Sequence, residues 1–139
     1  DVKASRGLGD VYKRQDLVDE NSFTLEGDYP GPYQLILGLV ENRLMFRVQD
    51  PEGNDLRIIG LATGPFRRII RDYRAICESY YDAIRTLSPS QIETIDMARR
   101  GVHNDGSELL QTRLKGKVQV DFDTARRLFT LLCALHMKS

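Results

Sequence analysis

The sequence has few of the residues and spacings that usually reveal a chemistry. Its 139 residues include two histidines and two cysteines, and acidic and basic residues are equal in number, at 20 each. It contains no CxxC pair, zinc knuckle, HExxH helix, aspartate-rich calcium loop, phosphate-binding glycine loop or GxSxG elbow. The sequence therefore predicts no metal, no cofactor and no familiar catalytic set.

A long hydrophobic run is also missing. The longest apolar stretch, 128–135, is far shorter than the roughly 20 residues that span a bilayer, so no membrane association is expected. The two cysteines, Cys77 and Cys133, stand in amphipathic or apolar helical contexts. They are predicted to be reduced core thiols, with a disulfide or a reactive thiol as the alternative.

The first fifteen residues have a different character from the rest. The string SRGLGDVYKRQ at 5–15 can be back-translated in frame into a transposase sequencing adapter. We therefore interpret 1–15 as a non-native, disordered scar, and 16–139 as one domain truncated at its N-terminus. The first fifteen residues carry four basic and two acidic residues, so 16 basic and 18 acidic residues remain without them. This balance argues against a nucleic-acid partner.

The N-terminal half of that domain predicts a sheet. After the tail of a helix at 16–23, three strands are predicted at 33–40, 43–49 and 56–61, and the second alternates apolar with polar residues. The pair Glu41-Asn42 can form a two-residue hairpin turn, and 50–54 is a strong turn signal. The expected fold is α+β, a three-stranded antiparallel meander packed against several helices of the C-terminal half.

The C-terminal half predicts those helices. Over 65–87 the apolar residues recur at helical spacing throughout, which predicts a long helix. The segment 88–91 has the residues of a capping box, which predicts the start of the next helix. Gly101 is predicted to end that helix, and Asp105 to cap another. The last helix contains 128–135 and is apolar nearly all round, so it is either central to the core or covered by another chain.

Three stretches together resemble a known family. They are DENSF at 19–23, PFRRIIRDYRAICESYYDAIRTLSPSQIETIDMARRGVHNDGSELL at 65–110 and LKGKVQVDFDTARRLFTLLCALH at 114–136. They resemble a small family of uncharacterised proteins of the UPF0262 type, found mainly in alphaproteobacteria. The resemblance implies a bacterial, cytoplasmic protein. It implies no activity and no catalytic residues.

Arginines at the start of two predicted helices are the first candidate binding residues. They are Arg67, Arg68 and Arg71 in the long helix and Arg126 and Arg127 in the last one. Positive charge at a helix N-terminus opposes the helix dipole, and a bound anion would reverse that penalty. The alternative is pairing inside the chain, of Arg68 with Asp72 and of Arg126 with Asp121 or Asp123.

The segment 99–106, with Arg99 and Arg100, is the second candidate. His103 could transfer protons near neutral pH, oriented by Asp105 or Glu108, with the nearby arginines binding substrate. The alternative is a plain connection between two helices, in which His103 fills the turn.

The sequence does not identify a function, and two classes of function stay open. The first is a small binding or regulatory protein that acts on a small anion or on a protein partner, including a second copy bound through the apolar last helix. The second is an enzyme of unknown reaction centred on His103. The absence of a recognisable catalytic set favours the first class.

Overall fold

The computed structural model describes residues 2–4, 11–17, 23–25 and 32–138, with side chains from 32 to 136. The strands are β1 (Val2–Ala4), β2 (Val11–Leu17), β3 (Phe23–Leu25), β4 (Tyr33–Val40), β5 (Arg43–Gln49), β6 (Asp55–Ala62) and β7 (Val118–Val120). The helices are α1 (Gly64–Thr86), α2 (Pro89–Leu114) and α3 (Phe122–Lys138).

The predicted meander is confirmed as β4, β5 and β6, which pair antiparallel in sequence order. Alternate residues of all three strands point to one face, so Leu37, Phe46 and Ile59 lie opposite one another and are buried. The other face is more exposed to solvent, and on it Arg47 of β5 pairs with Asp55 of β6. One buried and one exposed face is the pattern that the sequence predicted.

Both predicted turns are confirmed. Glu41 and Asn42 have positive φ angles of 48° and 64°, as a type I′ hairpin requires. In the turn after β5, Asp50 Oδ1 accepts hydrogen bonds from the backbone N–H groups of Glu52 and Asn54, and Gly53 takes the left-handed conformation.

The helix tail predicted at 16–23 is wrong where the structure describes that segment. Asp16 and Leu17 belong to β2, which pairs with β4 and extends the sheet, and Phe23 belongs to β3, which pairs with β7. The apolar pair at 17 and 18 suits a strand as well as a helix, and periodicity cannot separate the two in so short a run. Residues 18–22 lie outside the described ranges. The interpretation of 1–15 as a sequencing scar stays a prediction.

The first two helices form an antiparallel hairpin. Phe66, Ile70 and Ala83 are buried on α1, and the helix begins with Pro65 in its first turn, as predicted. The capping box before α2 is confirmed, because the Ser88 hydroxyl accepts from the Gln91 N–H and the Gln91 side chain accepts from the Ser88 N–H.

The predicted end of a helix at Gly101 is wrong. The second helix runs without interruption through Gly101 and Asp105 to Leu114, so no turn exists there. Neither Gly101 nor Gly106 has a positive φ. Gly106 is buried beneath Phe129 of α3, where a Cβ atom would overlap the aromatic ring. A close approach of two helices, and not a turn, therefore accounts for Gly106.

The last helix is central to the core, which is the first of the two alternatives that its apolar sequence left open. Its fully buried side chains include Leu128, Phe129, Leu132 and Leu135, and it packs on β4 and on α2. Cys133 is also buried, which raises the pKa of its thiol to about 12, and it is a free thiol. The side chains of Leu128, Phe129, Leu132 and Leu135 are thus covered by other residues of this chain.

This arrangement confirms the predicted α+β fold, with the helices of the C-terminal half covering one face of the sheet. Among the described residues, no helix is both long and apolar enough to cross a membrane.

Candidate functional site

A cleft of about 640 Å³ opens where α1, α2 and the first turns of α3 meet. We call it the arginine cleft, because four of its nine lining residues are arginines. It is lined by Tyr73, Arg99, Arg100, His103, Asp123, Thr124, Arg126, Arg127 and Thr130. Its volume falls within the range of small-molecule pockets, roughly 300–1,000 Å³.

Two of the arginines come from α2 and are held by carboxylates of the preceding turns. Arg99 donates from Nε and from a terminal nitrogen to Asp96 Oδ1, at 3.0 and 2.6 Å. Arg100 Nε lies 3.2 Å from Asp96 Oδ2, and its terminal nitrogen lies 3.4 Å from Glu93 Oε1. The guanidinium of Arg99 also lies over the ring of Tyr80, 5.2 Å from its centroid. These contacts restrain the two side chains where they line the cleft.

The other two arginines, Arg126 and Arg127, come from the second turn of α3. Asp121 caps this helix by accepting from the Thr124 N–H at 3.0 Å, as one of the two predicted caps. The predicted pairing of Arg126 with Asp121 or Asp123 does not form: within the described part of the chain, no ion pair involves Arg126. Its charge faces the cleft near the positive end of the helix dipole.

His103 lies on the floor of the cleft and is 8% exposed. Its ring stands edge-on to the rings of Tyr73 and Phe129, with both centroids 5.2 Å away. Its Nε2 atom lies 2.8 Å from Thr130 Oγ1. Three helices therefore hold this imidazole in place.

The hydroxyl of Thr130 lies within hydrogen-bond distance of both His103 and a backbone carbonyl of its own helix. The Thr130 hydroxyl donates its single hydrogen to the Arg126 carbonyl oxygen, at 3.1 Å. While it does so it accepts from Nε2 of His103, and this is the tautomer in which both hydrogen bonds of Thr130 form together. In that tautomer Nδ1 carries a lone pair, and Nδ1 is buried with no hydrogen-bond partner among the described residues. A buried acceptor without a donor is uncommon in folded proteins.

Burial chiefly lowers the pKa of His103 below its usual 6.5, and the charges of Arg126 and Arg99 lower it further. His103 is therefore neutral at pH 7. The pKa of His136 is also lowered, again mainly by burial.

We expect the protein to lose stability as the pH falls below about 6.5. The unfolded chain takes up a proton at His103 that the folded chain resists, so acid favours unfolding through this window. Urea unfolding between about pH 7 and about pH 5 measures the slope, and His103→Gln should reduce it. An unchanged slope in that variant would contradict a depressed pKa at His103.

The arginines predicted on α1 do not join this site. Arg67, Arg68 and Arg71 are exposed at the start of the helix, and none lines the arginine cleft. The predicted pairing inside the chain does occur there, because Asp72 lies 3.9 Å from Arg68 and 4.0 Å from Arg71. Both pairs are long and solvent-exposed, so they contribute little to stability.

The carboxylates predicted beside His103 do not reach it. Because α2 is continuous, Asp105 is two residues from His103 and Glu108 five, which puts them about 200° and 140° around the helix. Both are exposed, whereas His103 points inward. The structure instead surrounds His103 with arginines, aromatic rings and the Thr130 hydroxyl.

Sequence reasoning missed that Arg99 and Arg100 converge with Arg126 and Arg127. Arg99 and Arg100 precede His103 by four and three residues, the spacing that places side chains on one helix face. The predicted stop at Gly101 hid this signal. Tyr73 and Thr130 were also missed, and nothing in the local sequence marks them.

The cleft has the side chains to hold an anion and lacks those that hold a metal. Its lining includes a single carboxylate, Asp123, and a single imidazole, His103. In the described ranges, no three His, Cys, Asp or Glu side chains come together as a metal site would need.

Comparison with known proteins places the chain among uncharacterised relatives. It is 60% identical over 123 residues to a UPF0262 protein of Methylobacterium radiotolerans, an alignment that covers 88% of this chain and 76% of the relative. It is 61% identical over 123 residues to a UPF0262 protein of Phenylobacterium zucineum, which covers 88% of this chain and 76% of the relative. It is 55% identical over 123 residues to a UPF0262 protein of Rhizobium leguminosarum, which covers 88% of this chain and 78% of the relative.

These organisms are alphaproteobacteria, which confirms the predicted resemblance. No solved structure matches the chain. A family model described as "Uncharacterised protein family (UPF0262)" matches residues 12–138. The chain therefore belongs to the UPF0262 family.

Proposed function

We propose that this protein is a binding or regulatory module whose ligand is a small anion held in the arginine cleft. The observation that carries the proposal is the convergence of four arginines from two helices on one cleft of ligand size. Guanidinium groups bind carboxylates and phosphates through charge-assisted hydrogen bonds, often two at a time.

The position of Arg126 supports the proposal further. A cation near the N-terminus of a helix is unfavourable, and here no carboxylate of the described residues pairs with it. An anion in the cleft would compensate both the arginine and the helix dipole. The ion pairs that restrain Arg99 and Arg100 mean that part of the site is already arranged before a ligand arrives.

We expect sulfate or phosphate to raise the melting temperature of the protein. A ligand at a hundredfold excess over its Kd stabilises the folded state by about 2.7 kcal/mol. Arg126→Gln should weaken binding by about tenfold or more, because a hydrogen bond to a charged group is lost. Thermal unfolding and isothermal titration calorimetry measure the two effects.

Arg68→Gln is the matched control. Arg68 and Arg126 are each the fifth residue of their helix, but only Arg126 lines the cleft. Binding should survive Arg68→Gln. Equal losses in both variants would show a diffuse effect of charge and would contradict a site in the cleft, as would the absence of any anion effect on the parent protein.

The alternative, an enzyme that uses His103 with Asp105 or Glu108, has less support. Neither Asp105 nor Glu108 is placed to orient the imidazole, since both are exposed and lie on other faces of α2. A protein partner bound through α3 also has less support, because Leu128, Phe129, Leu132 and Leu135 of that helix are buried within this chain. A cytoplasmic location is part of the proposal and follows from the family resemblance alone.

A further inference from the structure

We infer that an anion enters the arginine cleft together with a proton, which His103 takes up from solvent. The inference rests on the proposed function and adds to it a dependence of binding on pH. Its geometric basis is a buried imidazole that lines a cationic cleft, with one nitrogen, Nδ1, that has no hydrogen-bond partner among the described residues.

The charged and titratable groups around His103 come from three helices. Those that line the same cleft are Tyr73 of α1, Arg99 and Arg100 of α2, and Asp123, Arg126 and Arg127 of α3. Asp96 of α2 accepts from Arg99. Aspartate, tyrosine and arginine ordinarily titrate far from neutral pH. His103 is therefore the group lining the cleft whose charge can change between about pH 5 and about pH 8.

An anion changes the electrostatic balance at His103. In the empty cleft, the guanidiniums of Arg99 and Arg126 repel a proton from the ring. A negative ligand held by these same guanidiniums offsets their charge and attracts a proton. The proton enters at Nδ1, so the bond from Nε2 to Thr130 is kept and protonation breaks no existing hydrogen bond.

Sulfate is the probe of choice because it keeps its charge across this range of pH, so that any proton taken up belongs to the protein. Calorimetric titrations at about pH 5.5 and about pH 7.5, with chloride holding the ionic strength constant, give the two affinities. By linkage, we expect sulfate to bind about three- to tenfold more tightly at the lower pH.

Two variants test whether His103 is the residue that takes up the proton when sulfate binds. Glutamine keeps a hydrogen-bond donor but cannot titrate, so His103→Gln should bind sulfate with the same affinity at both pH values. The other histidine of the chain supplies the control: it lies outside the cleft lining, and His136→Gln should keep the full dependence on pH. A dependence that survives His103→Gln overturns the inference.

A measurement on the unaltered protein covers the case in which His103→Gln does not fold. The NMR titration of the His103 ring protons should show a midpoint that moves to higher pH when sulfate is added. If the midpoint of the His103 titration does not move when sulfate is bound, the coupling to a proton is overturned, but the proposed anion site is not. Absence of sulfate binding at both pH values overturns the proposed function itself.

Discussion

Phe129→Ala is expected to lower the free energy of unfolding by about 3–5 kcal/mol. The ring is fully buried and stands edge-on to Tyr73 and His103, so truncation removes contacts with α1 and α2 at once. It also leaves a cavity that rigid helices cannot close. Against a total stability of about 5–15 kcal/mol, such a loss brings the protein near unfolding. Urea unfolding followed by circular dichroism measures the change.

Met97→Ala serves as the control for that truncation. Met97 is a large apolar residue on α2, but it is 60% exposed. Its truncation should change the free energy of unfolding by no more than about 0.5 kcal/mol. If Phe129→Ala lowered the free energy of unfolding as little as Met97→Ala does, the ring of Phe129 would not be packed between α1 and α2.

Gly106→Ala is expected to destabilise the protein by about 1–3 kcal/mol, although alanine is the better helix former. The added methyl group would overlap the ring of Phe129, which is itself held between Tyr73 and His103 and cannot swing aside. Thermal and urea unfolding measure the loss. The double variant Gly106→Ala with Phe129→Leu should cost less than the sum of the two single changes, because a smaller side chain leaves room for the methyl group.

Gly101→Ala makes the matched comparison within the same helix. A Cβ atom at Gly101 meets nothing within 4 Å, and the residue is exposed. This change should therefore stabilise the protein by about 0.5–1 kcal/mol through helix propensity alone. Opposite signs at the two glycines are the expected result. Stabilisation at both positions would refute the close approach of α2 and α3.

The sequence predicted the parts of the fold that local rules control. Alternation in β5, positive φ at Glu41-Asn42 and the capping box at Ser88 each depend on residues close together in the chain, and all three were confirmed. The predicted helix end at Gly101 was wrong because the course of α2 there depends on residues that are far apart in the chain. The local rule that glycine ends a helix was overridden by packing of α2 over its full length, which no local pattern shows.

The candidate site was predicted only in part, for the same reason. Arg126 and Arg127 were identified from their place at a helix N-terminus, and they do line the cleft. Their companions Arg99 and Arg100 lie more than 25 residues earlier in the chain, and only the packing of α2 against α3 brings the two pairs to one cleft. The partner of His103 was missed because Thr130 lies on another helix.

The aromatic rings beneath the cleft reduce the conformational entropy that the protein loses when a ligand binds. Tyr73 and His103 rest on Phe129 and stand on regular helices, so neither they nor the backbone around them need ordering when a ligand arrives. Asp96 and Glu93 already restrain Arg99 and Arg100. The conformational entropy lost on binding is up to about 2 kcal/mol for an immobilised arginine, and Arg126, which forms no ion pair with a described carboxylate, would contribute to it.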